Sequence, residues 1–229
     1  MFVLVTDRKR SRSKLDYSAA VAKVFLSEDR QLAVAMSGSD LAKNLGRRIV
    51  NLWESKQWPE RVELALEEVG NEEFTKYYSS HIRERPIEEQ PRSQLLIFDA
   101  KAWQLYELHS CGKSRCETYQ SGYIPIGHSE NLALFFSERF LGIGNDNERI
   151  ASMSTLKRLA AFTVLTAARL NPTGIGYGFD LFTFDSKRAI AEQVSTEERS
   201  SLKNAVKQLD QQMDSLIFQN DSSSAIDQT

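Results

Sequence analysis

The chain is short of most features that would announce a function by themselves. It has 2 cysteines in 229 residues, too few for a disulfide framework. It has no apolar run near the ~18 residues a membrane span needs. Phe2 to Val5 is too brief for the core of a signal peptide, and the basic residues follow it instead of preceding it. A cytoplasmic protein is therefore expected, with no membrane partner. Charge of one sign is missing too: 29 basic side chains face 31 acidic ones, so no global field recruits nucleic acid. The 5 prolines and 11 glycines are too few for a fibrous or low-complexity chain.

Apolar residues, at 41% with 12 Phe, 7 Tyr and 3 Trp, suffice for a sizeable core. Basic residues gather in one place, where Arg8, Lys9, Arg10, Arg12 and Lys14 fall within seven positions. Only serines are interleaved and no aromatic is present for stacking on bases, so the stretch reads as a solvated loop. Nucleic-acid binding is the weaker reading. Cys111 and Cys116 are spaced C-x4-C and, with His109, offer at most three zinc ligands. No fourth is evident nearby. Two reduced loop cysteines are expected, with no metal and no cofactor.

Phe2 to Asp7 reads as a strand ending in an acidic-basic corner, and Ala19 to Ser27 as another. In Leu32 to Ser37, Leu32, Val34 and Met36 alternate with Ala33, Ala35 and Ser37. Such a strand is buried on one face and closely approached on the other. Ser39 or Asp40 caps a helix with the stripe Leu41, Leu45, Ile49, Leu52 and Trp53. A helical pattern resumes from Val62 to Tyr78, with a possible break at Gly70-Asn71. Leu95 to Phe98 and Trp103 to Leu108 read as a hairpin, Cys111 to Gln120 as a polar stretch, and Tyr123 to Gly127 as a short strand. Helices follow from Ser129 or Asn131 and from Thr155 to Leu170, then strands over Tyr177–Phe184 and Ala189–Val194. The last helix opens on the capping box Ser195-Thr196-Glu197-Glu198 and runs to about Ile217. The serine-rich tail over 219–229 should be disordered.

Strands and helices come in groups and do not alternate strictly, which argues for an α+β layering over a doubly wound parallel sheet. The succession resembles the four-layer αββα sandwich of proteasome subunits and other hydrolases with an N-terminal nucleophile. One such domain would cover residues 1–218. Val3-Leu4-Val5-Thr6-Asp7-Arg8-Lys9 is similar to that family's second strand, and Lys23-Val24-Phe25 to its next one. Ala33 to Asp40, with Gly38 inside it, resembles the small-residue strand before the first helix. Ile126-Gly127-His128-Ser129 resembles the turn before the third helix, and Ala160 to Asp180 the Ala-rich helix with its glycine-aspartate strand.

This resemblance implies a chemistry. A threonine freed at the chain start would attack a peptide carbonyl, its own amine taking the proton. Lys23 would favour loss of the hydroxyl proton, Asp7 would keep Lys23 charged, and the Gly38 N–H would steady the oxyanion. His128 stands where the family usually has a serine that assists the amine. Leu170-Asn171-Pro172-Thr173 offers no second aspartate, Thr6 has no free amine, and the family's nucleophile-bearing strand does not precede Asp7. Two expectations follow. The chain is a non-catalytic subunit of a self-assembling complex of identical or related chains, or it is a threonine-type peptidase acting on peptides or proteins, with its nucleophile strand upstream of Met1.

Overall fold

A computed structural model describes residues 2–7, 9–12, 15–20, 23–38, 40–81, 93–111, 113–119, 124–127, 130–142, 151–172 and 175–218. Its elements, in order, are β1 (Phe2–Asp7), β2 (Lys9–Arg12), β3 (Leu15–Ala20), β4 (Val24–Leu26), β5 (Leu32–Gly38), α1 (Asp40–Glu54), α2 (Val62–His81), β6 (Ser93–Asp99), β7 (Gln104–Cys111), β8 (Lys113–Tyr119), α3 (Glu130–Leu141), α4 (Met153–Leu170), β9 (Phe179–Asp185), β10 (Ile190–Gln193) and α5 (Thr196–Phe218). β4 to β8 form a five-stranded antiparallel sheet in chain order, and β1, β9 and β10 a three-stranded one with β9 central. β2 pairs with β3 in a separate ribbon.

The side-chain alternation of β5 sets the layering. Leu32, Val34 and Met36 pack with Leu41, Leu45 and Ile49 of α1 and with Leu66 and Val69 of α2. Ala33 and Ala35 face the other way, toward Phe98, Phe182 and Phe184. Small residues on one face of β5 thus make room for the phenylalanine rings between the sheets. On the far side, Val3, Val5, Phe179 and Leu181 meet Ala160, Ala161 and Leu165 of α4 and Val206 of α5. The result is an α+β sandwich layered helix, sheet, sheet, helix, as the grouped strand order leads one to expect. None of the described helices is long and apolar enough to cross a membrane.

Local expectations fare unevenly. α2 runs unbroken through Gly70, because a Cβ there would lie 2.4 Å from Ser114 Oγ and the helix needs that close approach to β8. Much of the polar stretch from Cys111 is strand β8, paired with β7 along its length. The basic run is strand instead of loop where it is described, with Lys9 to Arg12 in β2. Ile124 to Gly127 form no strand. Ser195 caps α5 as expected, accepting from Glu198 N at 3.1 Å, while Glu198 Oε1 accepts from Lys157 of α4 at 2.7 Å. The tail over 219–229 lies outside the described residues.

β8 is the outer strand of its sheet among the described residues, and α2 covers its edge. Ser114 N donates to Asn71 Oδ1 at 2.7 Å, Cys116 N to Glu67 Oε1 at 2.9 Å, and Thr118 Oγ1 to Glu63 Oε1 at 2.5 Å. Four helical residues advance about 6 Å and two strand residues about 6.8 Å, so the two rows stay in step. Backbone donors that would otherwise be free at a sheet edge are thereby satisfied.

Candidate functional site

The two sheets are joined at one end by a charge pair. Asp7 closes β1 opposite Phe179. Lys23 stands just ahead of β4, its carbonyl accepting from Met36 N at 2.9 Å. Lys23 Nζ lies 2.8 Å from Asp7 Oδ2, with 22% and 16% of the two side chains exposed. The other carboxylate oxygen accepts from Gly176 N at 3.4 Å. An ammonium held this way is a fixed, partly desolvated positive charge, which favours an anion or an ionised hydroxyl brought beside it. One residue earlier in β1, Thr6 Oγ1 is buried without a hydrogen-bond partner among the described residues, on the opposite face of the strand by its alternation.

Gly38 ends β5 with φ at +111°, a conformation that glycine adopts without strain, two residues beyond the Met36 that bonds Lys23. Gly127 has φ at +94° and donates from its N–H to Gln94 Oε1 at 3.1 Å. A Cβ at Gly127 would come within 2.6 Å of Ser37 Oγ, so the turn sits directly against the end of β5. Of the four residues singled out from the sequence, Asp7 and Lys23 are brought into contact and Gly38 ends the strand that Lys23 bonds. His128 lies outside the described residues. Sequence reasoning missed Gly176 and Gln94. Gln94 carries a weak signal, as an amide at the head of an otherwise apolar strand.

The cysteine pair does not form a loop site. Cys116 is buried against α2, and burial together with Glu63 and Glu67 pushes its thiol up to about 12, well away from the reactive thiolate range. Leu108 is its cross-strand partner, so the neighbouring His109 points to the opposite face, where its Nε2 lies 2.7 Å from Glu107 Oε1. Cys116 and His109 therefore cannot share one metal. The Cys111 side chain lies outside what is described.

The Asp7–Lys23 pair makes a modest energetic demand that can be checked. Lys23→Met leaves Asp7 with the Gly176 N–H and loses a partly exposed ion pair, so about 1 kcal/mol of stability should go. Urea denaturation should then show the Asp7→Asn/Lys23→Met pair less destabilised than the single change. Equal losses would mean that the two groups do not depend on each other.

No family model matches the sequence. A search of curated proteins likewise finds no match. Solved structures do resemble the fold. Anbu (ancestral beta-subunit) from Yersinia bercovieri superposes with a TM-score of 0.66 at 13% identity, over 94% of this chain and 92% of its own. Anbu from Hyphomicrobium sp. strain MC1 gives 0.59 at 13% identity, and its Gly-1 mutant 0.57 at 12%, each over 99% of this chain and 94% of that one. At such identities the likeness carries the fold alone. It corrects the family reading drawn from the sequence: assignment to proteasome-type subunits of the N-terminal nucleophile hydrolases has no family model behind it, and the fold neighbours are Anbu proteins.

Proposed function

We propose that this chain is a non-catalytic, structural subunit of a self-assembling cytoplasmic complex, built from copies of itself or from related chains. The observation that carries this reading is α3, where Phe135 is 57% exposed and the adjoining Leu134 38%, while Phe140 turns toward Phe136 and Phe162 of α4. Large apolar side chains left side by side at a surface mark an interaction site. The stripe of α1 is excluded from the role, because Leu41, Leu45 and Ile49 are consumed by the core. The fold neighbours include a protein described as an ancestral beta-subunit, which accords with a subunit role.

Light scattering on the purified chain tests this. A mass several times 26.0 kDa is expected, with no hydrolysis of fluorogenic peptides. Phe135→Glu puts a charge in the middle of the proposed contact and should shift the population to monomer, an affinity loss of about a hundredfold. A wild-type chain that stays monomeric at high concentration would sink the proposal.

One observation favours a second reading, a threonine-type peptidase completed by a strand upstream of Met1. The Asp7–Lys23 pair is more than strand-end shaping requires, and it is what an N-terminal hydroxyl nucleophile would need beside it. Expression from an upstream start, followed by peptide cleavage that Lys23→Met abolishes, would favour this reading over the structural one.

A further inference from the structure

The turn between β4 and β5 holds more of the molecule together than a hairpin turn must. Its Arg30 O accepts from Ala191 N of β10 at 2.7 Å, and its Gln31 O from Ala100 N, just past β6, at 2.8 Å. One turn therefore fastens a hairpin of each sheet. Ala191 is 0% exposed and Ala100 2%, so neither amide has water to fall back on. Arg30 itself is left-handed, with φ at +56°, which is unfavourable for any residue with a Cβ. Asp29 fixes the turn in that shape. Its Oδ1 accepts from Ser27 Oγ at 2.5 Å and from Gln31 N at 3.0 Å, and its Oδ2 from Trp53 Nε1 of α1 at 2.9 Å. Ser27 Oγ accepts in turn from Leu32 N at 3.0 Å. All three donors favour a charged carboxylate, which only accepts. A protonated one gives up part of that pull.

We propose that this turn is an acid-operated latch between the two sheets, closed by the Asp29 carboxylate and released when that group takes up a proton. Release lets Arg30 leave the left-handed region, and the Ala191 and Ala100 bonds are lost together while the rest of the sandwich stays folded. Glu28 and Arg30 flank Asp29, Glu54 of α1 accepts from Glu28 N at 3.1 Å, and the neighbouring hairpins carry Asp99, Lys101 and Glu192. Asp29 answers to its hydrogen bonds more than to those charges. Burial alone would raise the carboxyl, and the bonds from Ser27, Gln31 and Trp53 outweigh burial and hold it below its ordinary 3.8. The folded-state value is the lower one, so the latch contributes fully above the ordinary value and is lost as pH falls below it. It works independently of the α3 face.

Amide exchange on the full chain, expressed as protection relative to the unstructured rate at each pH, tests this. From about pH 5 to about pH 3, protection at Ala100 and Ala191 should fall together by about tenfold, while Leu96 and Phe182 in the sheet interiors keep theirs. Asp29→Asn keeps the size but cannot titrate. Both amides should then exchange quickly already at the higher pH, with no further loss on acidification. Trp53→Phe removes one donor to the carboxylate and leaves the others, so the joint loss should move to higher pH. Should Asp29→Asn fail to fold, the direction of the Trp53→Phe shift still decides. The proposal is overturned if the two amides lose protection separately or not at all, or if Asp29→Asn shows the acid-dependent loss of the wild-type chain. It is overturned equally if Trp53→Phe leaves the transition in place, or if Leu96 and Phe182 are lost at the same pH, since acid would then be unfolding the whole chain.

Discussion

Replacing Arg199 with Met is expected to cost the fold about 3–5 kcal/mol, one of the two largest losses from a single substitution. Asp180 sits in β9 with only 5% of its surface exposed. Its Oδ1 accepts from Arg199 Nη1 at 3.0 Å and from Gln193 Nε2 at 3.0 Å. The same guanidinium nitrogen donates to Phe179 O at 2.9 Å, so one side chain from the first turns of α5 pins that helix to β9. Methionine fills much of the volume but supplies no charge and no donor. A buried carboxylate would then lose its charged partner, with the Gln193 amide still donating to it. The coupling follows from the same physics. Asp180→Asn/Arg199→Met removes both charges together and should recover much of the loss, since the penalty comes largely from burying a carboxylate without its cation. Guanidinium denaturation of the two variants gives the comparison. A loss below about 1 kcal/mol for Arg199→Met would mean that the pair is hydrated like a surface bridge.

Such a bridge was not legible beforehand, and the reason is general. Asp180 and Arg199 are separated by strand β10, and nothing in either residue's neighbourhood announces the other. What could be read was whatever repeats with the period of its own element. The alternation Leu32, Val34, Met36 against Ala33, Ala35 gave both faces of β5 and, through them, the order of the layers. The stripe Leu41, Leu45, Ile49 and the cap at Ser195 depend only on helical spacing. β8 failed by the same criterion. Lys113 to Tyr119 carries no large apolar side chain on either face before Tyr119: Ser114, Cys116 and Thr118 lie toward α2, and Arg115 and Glu117 on the other side. Its identity as a strand comes from pairing with β7, which propensity does not carry. Gly70 misled for a related reason: a glycine inside a helix reads as a break unless one knows that a side chain of the sheet, Ser114, presses against it.

The candidate site divides along the same line. Asp7 and Lys23 could be singled out because each punctuates an apolar strand at a spacing similar to a known pattern. Gly176 meets Asp7 across 169 residues of chain, through a loop whose path no local pattern records. Gln94 reaches Gly127 from a strand start, where any polar residue would have passed unnoticed.

The second large effect concerns the layer between the sheets. Phe184→Ala is expected to cost about 3–5 kcal/mol. The ring is fully buried, 4.7 Å from Phe98 at 70° and 5.5 Å from Phe2 at 57°, and Phe2 in turn stacks on Phe98 at 4.2 Å. The magnitude rests on how little the surroundings can collapse. Across from Phe184 stand Ala33 and Ala35, and behind it Ala191, none of which has a longer side chain to swing into the space. The cavity should therefore stay open, at the upper end of what losing a ring costs. The aromatic geometry adds its own coupling. Phe98→Leu alone should cost less, but in the Phe184→Ala background its further cost should shrink by about 1 kcal/mol, because the edge-to-face contact is already gone. Strict additivity in a denaturation cycle would show that the two rings only share a neighbourhood. Because Asp7 and Lys23 bridge the same two sheets, the loosened layer should also weaken their pair. Lys23→Met should then cost less in Phe184→Ala than in the wild-type chain, and an unchanged cost would mean that the bridge is held by its own strands and not by the sandwich.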